Sequence, residues 1–548
     1  MWCGPPGPQA EGRWKERRRF PPGGWIALSL GSTTADLARA AREALEFLRG
    51  APDVLEAEAF VSANGQLLAR LAYASHLPSN GVEEPKSTAS HGIGLQVVFR
   101  DPAGPRFGFG SEPSDLSREG VRRALAKARE GAVHDPTFVS LPRPGPERRT
   151  LDAYHDPQLL DLNDEDLVAV GWRIVTGALR TFTASTRLAE LAESEEGLRR
   201  LRLLLGGDVT IVQERVAIVS THLPEVQTDE TTLITASTTG MVETMDAKGS
   251  GWSTGTRLDE FTEEAGVEAA HGAIRALGGE RIPSGRYRII LGPQPVTDLL
   301  NNLVLPALHA SSFYASTTPF LGRFGKRVAA PALSIYDHGA LRGFTGSKGV
   351  TCEGLPTGRT DLVSGGVLTG LLTNWYEAQR LLRDPQARVK LGVEPAEAAA
   401  GLVARNGFRF AAGGGRSFSS PPGTAATNVF VEGQDGVSLD ELCRRVGDGL
   451  YVGRIWYTYP INGLQAGDFT CTVVADSYLI RDGRITVPLR ANAVRISDNI
   501  ASVLEGMIGV TREAKGTTVW GGDEVVYAPS IAVAGLQVDE IASFLNTV

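Results

Sequence analysis

The chain has 548 residues, of which 42% are hydrophobic and 22% are charged, and its formal net charge at pH 7 is −8. These values are typical of a globular protein, and a domain size of about 100–200 residues predicts three units. The negative net charge argues against a nucleic-acid partner, because proteins that bind nucleic acid carry a basic patch or domain.

The composition also bears on cellular location. The sequence has no apolar run of about 18 residues, so we expect no membrane span. Its four cysteines show no CxxC spacing and no disulfide density, which favours a reducing, cytoplasmic location. Residues 1–30 include basic residues but no apolar segment of signal-peptide length, and we interpret them as a disordered tail.

Residues 31–146 are expected to form a small N-terminal α/β domain. Apolar residues from Leu37 to Leu48 recur at helical spacing, with Thr34 or Asp36 available to cap the helix. A second helix carries Leu116 to Ala128 on its apolar face. Strand-like runs lie between the two helices at Ala57–Ala63, Leu67–Tyr73, Ile93–Arg100 and Phe107–Gly110.

Residues 147–284 are expected to form a central α/β domain. Its first helix is predicted to start at Asn163 or Asp164, either of which can cap it. Short runs rich in β-branched residues follow and predict an antiparallel sheet. A helix predicted over Leu258–Leu277 closes the unit, and Gly278 to Gly285 marks its boundary.

Residues 285–548 are expected to form a β-rich C-terminal domain, which completes a three-part α+β fold. Asp361–Val363 and Val367–Leu368 flank a Gly-rich turn and predict a hairpin, and Asp482–Gly483 predicts another. Ala411–Ala426 is small, polar and rich in Gly and Pro, so we predict a mobile surface loop there.

The stretch Gly343–Leu381 is the most informative part of the sequence. Its glycines predict a backbone that bends repeatedly and lies close to a bound chain. The order of its residues resembles the C-terminal domain of the TldD/PmbA family, the "modulator of DNA gyrase" proteins. The residues that carry the resemblance are Glu353, Gly354, Arg359, Asp361, Gly366, Val367, Leu368 and Ala378.

One branch of that family has a zinc site formed by a His-Glu-x-x-x-His run and a cysteine near the C-terminus. This chain has no His-Glu dipeptide, and the resemblance places Leu303, Val304 and Leu308 at the positions of that run. It places Trp520 near the cysteine position. The resemblance therefore implies the PmbA-like (TldE-like) branch, with no catalytic residue and no metal ligand in this chain.

Three other patterns were considered as sites. Gly251–Gly255 matches the G-x-S-x-G pattern of serine hydrolases, but its surroundings favour a Gly-rich turn. His309 is a lone histidine, which we interpret as packed or solvent-facing rather than as a metal ligand. Gly343–Gly349 lacks the spacing and the Ser or Thr of a phosphate-binding loop, so nucleotide binding is unsupported.

The resemblance implies a non-catalytic, metal-free subunit of a metalloprotease complex that processes unfolded peptides or small proteins. Its partner would be a TldD-like subunit that holds the zinc. We hypothesise that Glu353, Gly354, Arg359 and Asp361 contact the peptide or the partner. An Arg–Asp pair that only fixes the loop is an equal alternative. Two other functions stay open: a stand-alone hydrolase that uses Ser253 or a histidine, and a metal-free homodimeric peptide-binding protein.

Overall fold

The computed structural model describes residues 32–77, 80–410, 415–518 and 524–541. The tail predicted for residues 1–30 lies outside these residues. The described chain contains two large, mainly antiparallel sheets, each packed against helices. The predicted α+β fold class is therefore confirmed.

The N-terminal half of the chain forms an 8-stranded sheet with the strand order β5-β4-β3-β1-β6-β7-β8, and β2 pairs with β1. Its strands are β1 (Val54–Ala74), β2 (Gly81–Val82), β3 (Lys86–Phe99), β4 (Arg106–Pro113), β5 (Val133–His134), β6 (Leu203–Ser220), β7 (Gln227–Val242) and β8 (Ala247–Gly255). Its helices are α1 (Thr34–Arg49), α2 (Arg118–Glu130), α3 (Pro157–Leu160), α4 (Asp164–Thr183), α5 (Thr186–Ala192), α6 (Glu195–Arg200) and α7 (Glu264–Arg275).

The first helix shows how the sequence pattern becomes structure. The apolar stripe of α1, from Leu37 to Leu48, is buried against the sheet. Its N-cap is Thr33, whose side chain accepts from the Asp36 N–H, while the Asp36 carboxylate accepts from the Thr33 N–H. The predicted helix is confirmed, and its cap lies one residue before Thr34 because this reciprocal pair satisfies two free amides.

The helices α4 and α7 cover the other end of the same face of the sheet. Asn163 caps α4, as predicted. The helix predicted from Leu258 begins only at Glu264. The Leu258 N–H donates to the Asp156 carboxylate at 2.9 Å, which holds the preceding residues in a turn.

The predicted division at residue 146 separates strands that lie in one sheet. β1 pairs with β6 from Glu58↔Ser220 to Ala74↔Leu204, and the two runs predicted within β1 are one strand. The domain boundaries at 146/147 and 284/285 therefore stay predictions, and the first two units share a continuous sheet.

The C-terminal half forms an 11-stranded sheet, in which β9, β16, β17, β19 and β21 pair in a closed ring. The strands of this half are β9 (Gly285–Leu291), β10 (Leu333–His338), β11 (Arg359–Ser364), β12 (Val367–Leu368), β13 (Gly407–Phe408), β14 (Gly423–Thr424), β15 (Asn428–Gly433), β16 (Gly449–Pro460), β17 (Asp468–Arg481), β18 (Arg484–Pro488), β19 (Val494–Asn499), β20 (Met507–Thr517) and β21 (Val525–Glu540). Its helices are α8 (Pro293–Leu299), a π-helical turn (Leu300–Val304), α9 (Leu305–Ala307), α10 (Ala310–Tyr314), α11 (Trp375–Leu382), α12 (Ala387–Leu391), α13 (Pro395–Ala398), α14 (Leu439–Val446) and α15 (Ile500–Glu505).

Both predicted hairpins are present. β11 and β12 pair across Gly365 and Gly366, which have φ of +53° and +79°. β17 and β18 pair across Asp482 and Gly483, which have φ of +49° and +70°. Positive φ at both central residues defines the tight turn that matches the twist of antiparallel strands.

The loop predicted to be mobile at Ala411–Ala426 packs between the two halves of the molecule. Residues 411–414 lie outside the described residues. In the rest of the loop, Arg416 is 0% exposed and Phe418 is 7% exposed. The prediction of a mobile surface loop is wrong for residues 415–418, because buried contacts with the N-terminal sheet hold them in place, whereas residues 419–424 are exposed or half-buried as predicted.

Candidate functional site

The helical segment at residues 293–308 is the part of the chain that resembles a zinc-binding helix. The side chains of Leu303, Val304 and Leu308 are 1%, 1% and 0% exposed and belong to the largest hydrophobic core. A metal ligand must instead reach an open coordination site. These three positions are therefore packing positions.

The spacing of a His-Glu-x-x-x-His run also fits residues 301, 302 and 306. In the structure Asn302 is exposed, while Asn301 and Pro306 are half-buried, so this register lies outside the core. Asn302 donates to the Asp298 carboxylate at 3.1 Å, and burial raises the pKa of Asp298. Neither register supplies an imidazole, a thiolate or a carboxylate at the ligand positions, so the residues of this helix do not fit zinc.

The position of the family's cysteine ligand lies next to β20. Thr517, the last residue of β20, is buried, and its hydroxyl is hydrogen-bonded to Thr297 of α8. Trp520, the residue expected at the ligand position, lies outside the described residues. Cys471 lies in β17, where burial raises its pKa well above the usual thiol range and keeps it a neutral thiol.

The histidines do not form a metal centre within the residues that the structure describes, where no group of three or more His, Cys, Asp and Glu side chains has ligand geometry. His309, at the N-terminus of α10, is mostly buried, and this burial lowers its pKa to about 4. A neutral, buried imidazole agrees with the interpretation of His309 as a packed residue.

The G-x-S-x-G pattern lies inside strand β8, which overturns both the hydrolase elbow and the predicted turn. Ser253 pairs with Ala236 of β7, and its hydroxyl accepts from the Ala265 N–H at 3.1 Å. Ser253 as a whole residue is 9% exposed, and its hydroxyl binds a backbone N–H in the first turn of α7. A nucleophile needs a sharp strand-to-helix turn, which these residues do not form.

The Gly-rich stretch Gly343–Gly349 packs between the C-terminal and N-terminal sheets of the same chain. The N–H of Gly346 donates to the Asn428 side chain at 2.8 Å, and the N–H of Gly349 donates to Asp229 at 3.0 Å. Lys348 is 3% exposed, and its ammonium lies 3.1 Å from the Glu214 carboxylate. The close approach of chain that the glycines predict is therefore made by this protein itself.

Two of the predicted site residues, Glu353 and Gly354, lie inside this interface. The Glu353 carboxylate accepts from the Trp375 N–H at the start of α11, and burial raises the pKa of Glu353 to about 8. Gly354 has φ of +75°, and a Cβ there would lie 2.4 Å from Leu223. Gly354 therefore lets the two halves of the molecule pack closely, while Glu353 holds the start of α11.

The other two, Arg359 and Asp361, lie at the surface end of β11. The Arg359 Nε donates to Asp361 Oδ1 at 2.8 Å, and the two side chains are 47% and 50% exposed. The guanidinium lies 3.6 Å from the centre of the Tyr336 ring. Tyr336 stacks on Phe430, which stacks on Tyr527, so the pair sits at the end of a rigid aromatic row.

The sequence interpretation missed two arginines that join the halves of the molecule. Arg409 and Arg416 are 1% and 0% exposed. Arg409 donates to Glu58 of β1, and Arg416 donates to Asp229 at 2.8 Å. The only sequence signal is indirect: acidic residues such as Glu58 interrupt strands that are otherwise apolar.

Residues 284–540 match the sequence model of the PmbA/TldA metallopeptidase C-terminal domain. A protein named Metalloprotease from Methanothermobacter thermautotrophicus is 27% identical over 251 residues, which are 46% of this chain and 48% of that protein. Metalloprotease PmbA from Escherichia coli O157:H7 is 25% identical over 250 residues, which are 45% of this chain and 46% of that protein. The chain thus spans about half the length of the curated relatives it matches.

Two solved structures share the fold over almost the whole chain. TldE from Thermococcus kodakarensis superposes with a TM-score of 0.70 at 17% identity, covering 92% of this chain and 100% of TldE. A protein described as a modulator of DNA gyrase, from Bacteroides thetaiotaomicron, gives a TM-score of 0.68 at 15% identity over 93% of this chain and 100% of its own. The matched domain, the named relatives and the shared fold agree, and residues 284–540 form a C-terminal domain of the TldD/PmbA family type.

Proposed function

We propose that this chain is the non-catalytic, metal-free subunit of a TldD/PmbA-type metalloprotease complex that processes unfolded peptides or small proteins. The observation that carries the proposal is the helix at residues 293–308, which has no zinc ligand in either register. The zinc would then be held by a TldD-like partner subunit.

Two comparisons support this proposal. Relatives of this chain are named metalloproteases, so the family is associated with proteolysis. The chain also has the fold of a protein named TldE. The structure describes no helix that is both long and apolar enough to cross a membrane.

We assign the contact with the partner subunit to the hairpin between β16 and β17. Trp456, Tyr457, Tyr459 and Ile461 are 37%, 70%, 54% and 51% exposed there. The segment from residue 455 to residue 467 carries no charge. The Arg454 guanidinium lies 5.5 Å from the centre of the Trp456 ring, at the end of this uncharged segment. Exposed aromatic side chains and an arginine are typical of the buried centre of an interface between subunits.

Among the four residues predicted to contact peptide or partner, Arg359 and Asp361 have the exposure that such a contact needs. We retain these two as contact residues in the proposed complex. We assign Glu353 and Gly354 a positioning role, because they hold the N-terminus of α11 and the Leu223 side chain in place.

The proposal is tested by the hydrolysis of an unfolded model peptide by three samples. These are this chain alone, a relative from the same source with a His-Glu-x-x-x-His run, and the two copurified. We expect activity only in the copurified sample, and we expect a chelator to abolish it. Chelator-resistant hydrolysis by this chain alone would overturn the proposal.

The partner contact is tested separately by copurification. Tyr457→Asp places a charge in the exposed hairpin and is expected to reduce recovery of the partner about ten-fold or more. Val389→Asp is the matched control, because Val389 is 74% exposed but lies outside the hairpin. Equal recovery with both variants would show that the hairpin is not the contact.

A further inference from the structure

On two strands at the edges of the sheets, β11 and β8, groups of this chain itself close the edge. On β11, the carbonyl of Arg359 accepts from Arg405, and the carbonyl of Asp361 accepts from the Thr369 hydroxyl at 3.0 Å. On β8, the N–H groups of Ser250 and Trp252 donate to carboxylates at 2.8 and 3.1 Å. These edges therefore have no free backbone groups at those positions for another strand.

One edge is different. The first six residues of β3, Lys86 to His91, are all exposed, whereas the remaining eight are buried. Among the residues that the structure describes, residues 86–91 of β3 pair only with β1, because the pairing of β3 with β4 ends at Gly92↔Pro113. This stretch therefore projects beyond β4 with its outer side and both faces open to solvent.

The direction of the backbone groups follows from one hydrogen bond. The carbonyl of His91 accepts from the Ser114 N–H at 2.9 Å, so the backbone groups of His91 point away from β1. Because the direction alternates along an antiparallel strand, those of Ser87 and Ala89 point the same way. In the part of the chain that the structure describes, no other segment pairs with Ser87 or Ala89 on that side.

Natural proteins usually protect such an edge with a bulge, a proline or an inward charge. Pro85 and Lys86 protect the first end of this edge, but between Ser87 and Ser90 the open edge of β3 has no bulge, proline or charge, and β1 and β3 stay in one register along it. Its side chains are small, so a second backbone can approach to hydrogen-bonding distance without a steric barrier. The edge is complementary to an extended polypeptide.

We propose that this edge of β3, residues 86–91, binds an extended segment of an unfolded peptide as an added strand. The inference rests on the proposed function, in which unfolded peptides are the substrates. A permanent subunit contact needs a substantial apolar area, and this stretch offers only the Ala89 methyl and the methyl of Thr88. A peptide that is held through its backbone hydrogen bonds needs no such apolar area and can bind independently of its sequence.

The test uses a pair of variants at one position. Ala89→Pro removes an N–H that points to solvent, a position where strands tolerate proline, and it blocks an added strand. Ala89→Val keeps the N–H and the strand. The probe is a fluorescein-labelled synthetic peptide with no stable fold, and its binding to this chain alone is followed by fluorescence anisotropy.

We expect Ala89→Pro to raise the Kd of the probe about ten-fold or more and Ala89→Val to leave it within about two-fold. With the unaltered chain, a probe methylated on alternate backbone nitrogens is expected to lose affinity to the same extent. This second arm tests the proposal even if Ala89→Pro does not fold, which thermal unfolding reveals.

Unchanged binding of the methylated probe would overturn the proposal. A second copy of the chain at the edge would also overturn it, and would appear as self-association in sedimentation that Ala89→Pro abolishes. Because these measurements need neither partner nor activity, their failure leaves the proposed function to be judged by the hydrolysis experiment.

Discussion

The arginines between the two halves allow a quantitative prediction. Arg416 donates to Asp229, and its Nε lies 3.5 Å from Glu214. In Arg416→Met each carboxylate keeps one other cation, since Arg149 lies 2.8 Å from Asp229 and Lys348 lies 3.1 Å from Glu214. Breaking a buried salt bridge lowers the free energy of unfolding by about 3–5 kcal/mol. Because each carboxylate keeps another cation, we expect Arg416→Met to lose about 3 kcal/mol.

Arg409→Met should cost more than Arg416→Met. Arg409 forms the only salt bridge of Glu58 among the described residues, and both side chains are 0% exposed. Its removal leaves a buried carboxylate without a cation, which places the cost near the upper end of about 3–5 kcal/mol. Arg481→Ala is the control, because Arg481 is 57% exposed and 3.8 Å from Glu280.

Urea unfolding followed by tryptophan fluorescence measures all three variants. Because the slope for a chain of this size exceeds the value of about 1–3 kcal/mol per molar urea for small proteins, Arg416→Met should lower the midpoint by several tenths of a molar, up to about 1 M, and the exposed control should shift it by much less. Equal midpoints for Arg416→Met and the control would refute the inference that the buried arginines hold the halves together. Asp229→Asn combined with Arg416→Met should recover part of the loss.

Two further predictions concern the motif that carries the family resemblance. Burial raises the pKa of Glu353 to about 8, so the folded state binds its proton more tightly than the unfolded state. The stability that this proton contributes is complete below pH 4.5, the pKa in the unfolded state, and is lost as the pH rises through 8. In Glu353→Gln the side chain does not titrate, so the decline in unfolding free energy between these two pH values should be smaller. Gly354→Ala should lower the free energy of unfolding by about 1–2 kcal/mol, because Gly354 has a positive φ. The control is Gly145→Ala, whose added Cβ meets no atom within 4 Å. An equal loss of unfolding free energy in both variants would contradict this prediction.

Local elements could be predicted because their signals lie within a few residues of one another. The apolar stripe of α1, the Asn163 cap and the Asp482–Gly483 turn are each set by neighbouring residues, and each was found. The start of α7 was misplaced because it depends on Asp156, a residue distant in sequence from Leu258.

The contacts between the two halves could not be predicted for the same physical reason. The loop around Arg416 looks flexible by composition, and only the carboxylates of Glu214 and Asp229 on another sheet make it rigid. Ser253 likewise matches a catalytic sequence pattern, but in the structure its hydroxyl is hydrogen-bonded to the first turn of α7, which lies outside the pattern. The sequence alone contains no measure of which distant side chains meet.

The register of the metal-binding pattern on the helix can be tested by building it twice. The first variant combines Leu303→His, Val304→Glu and Leu308→His, the positions implied by the resemblance. All three side chains lie in the core at 1% exposure or less, and unpaired polar groups are costly there. We expect this variant to lose its cooperative thermal transition.

The second variant combines Asn301→His, Asn302→Glu and Pro306→His. Asn302 is exposed and the other two residues are half-buried. The Asn301 side chain already places two polar atoms in a buried position without a hydrogen-bond partner among the described residues, so a polar side chain there adds less cost than one at Leu303, Val304 or Leu308. We expect this variant to keep a native circular dichroism spectrum and a cooperative transition. The opposite result, with the first variant folded and the second unfolded, would contradict the inference that the helix tolerates a metal-binding run at residues 301, 302 and 306 but not at 303, 304 and 308. Because Leu303, Val304 and Leu308 are packed in the core, the proposed lack of a zinc site on this helix rests on which face of the helix is buried as well as on which residues it carries.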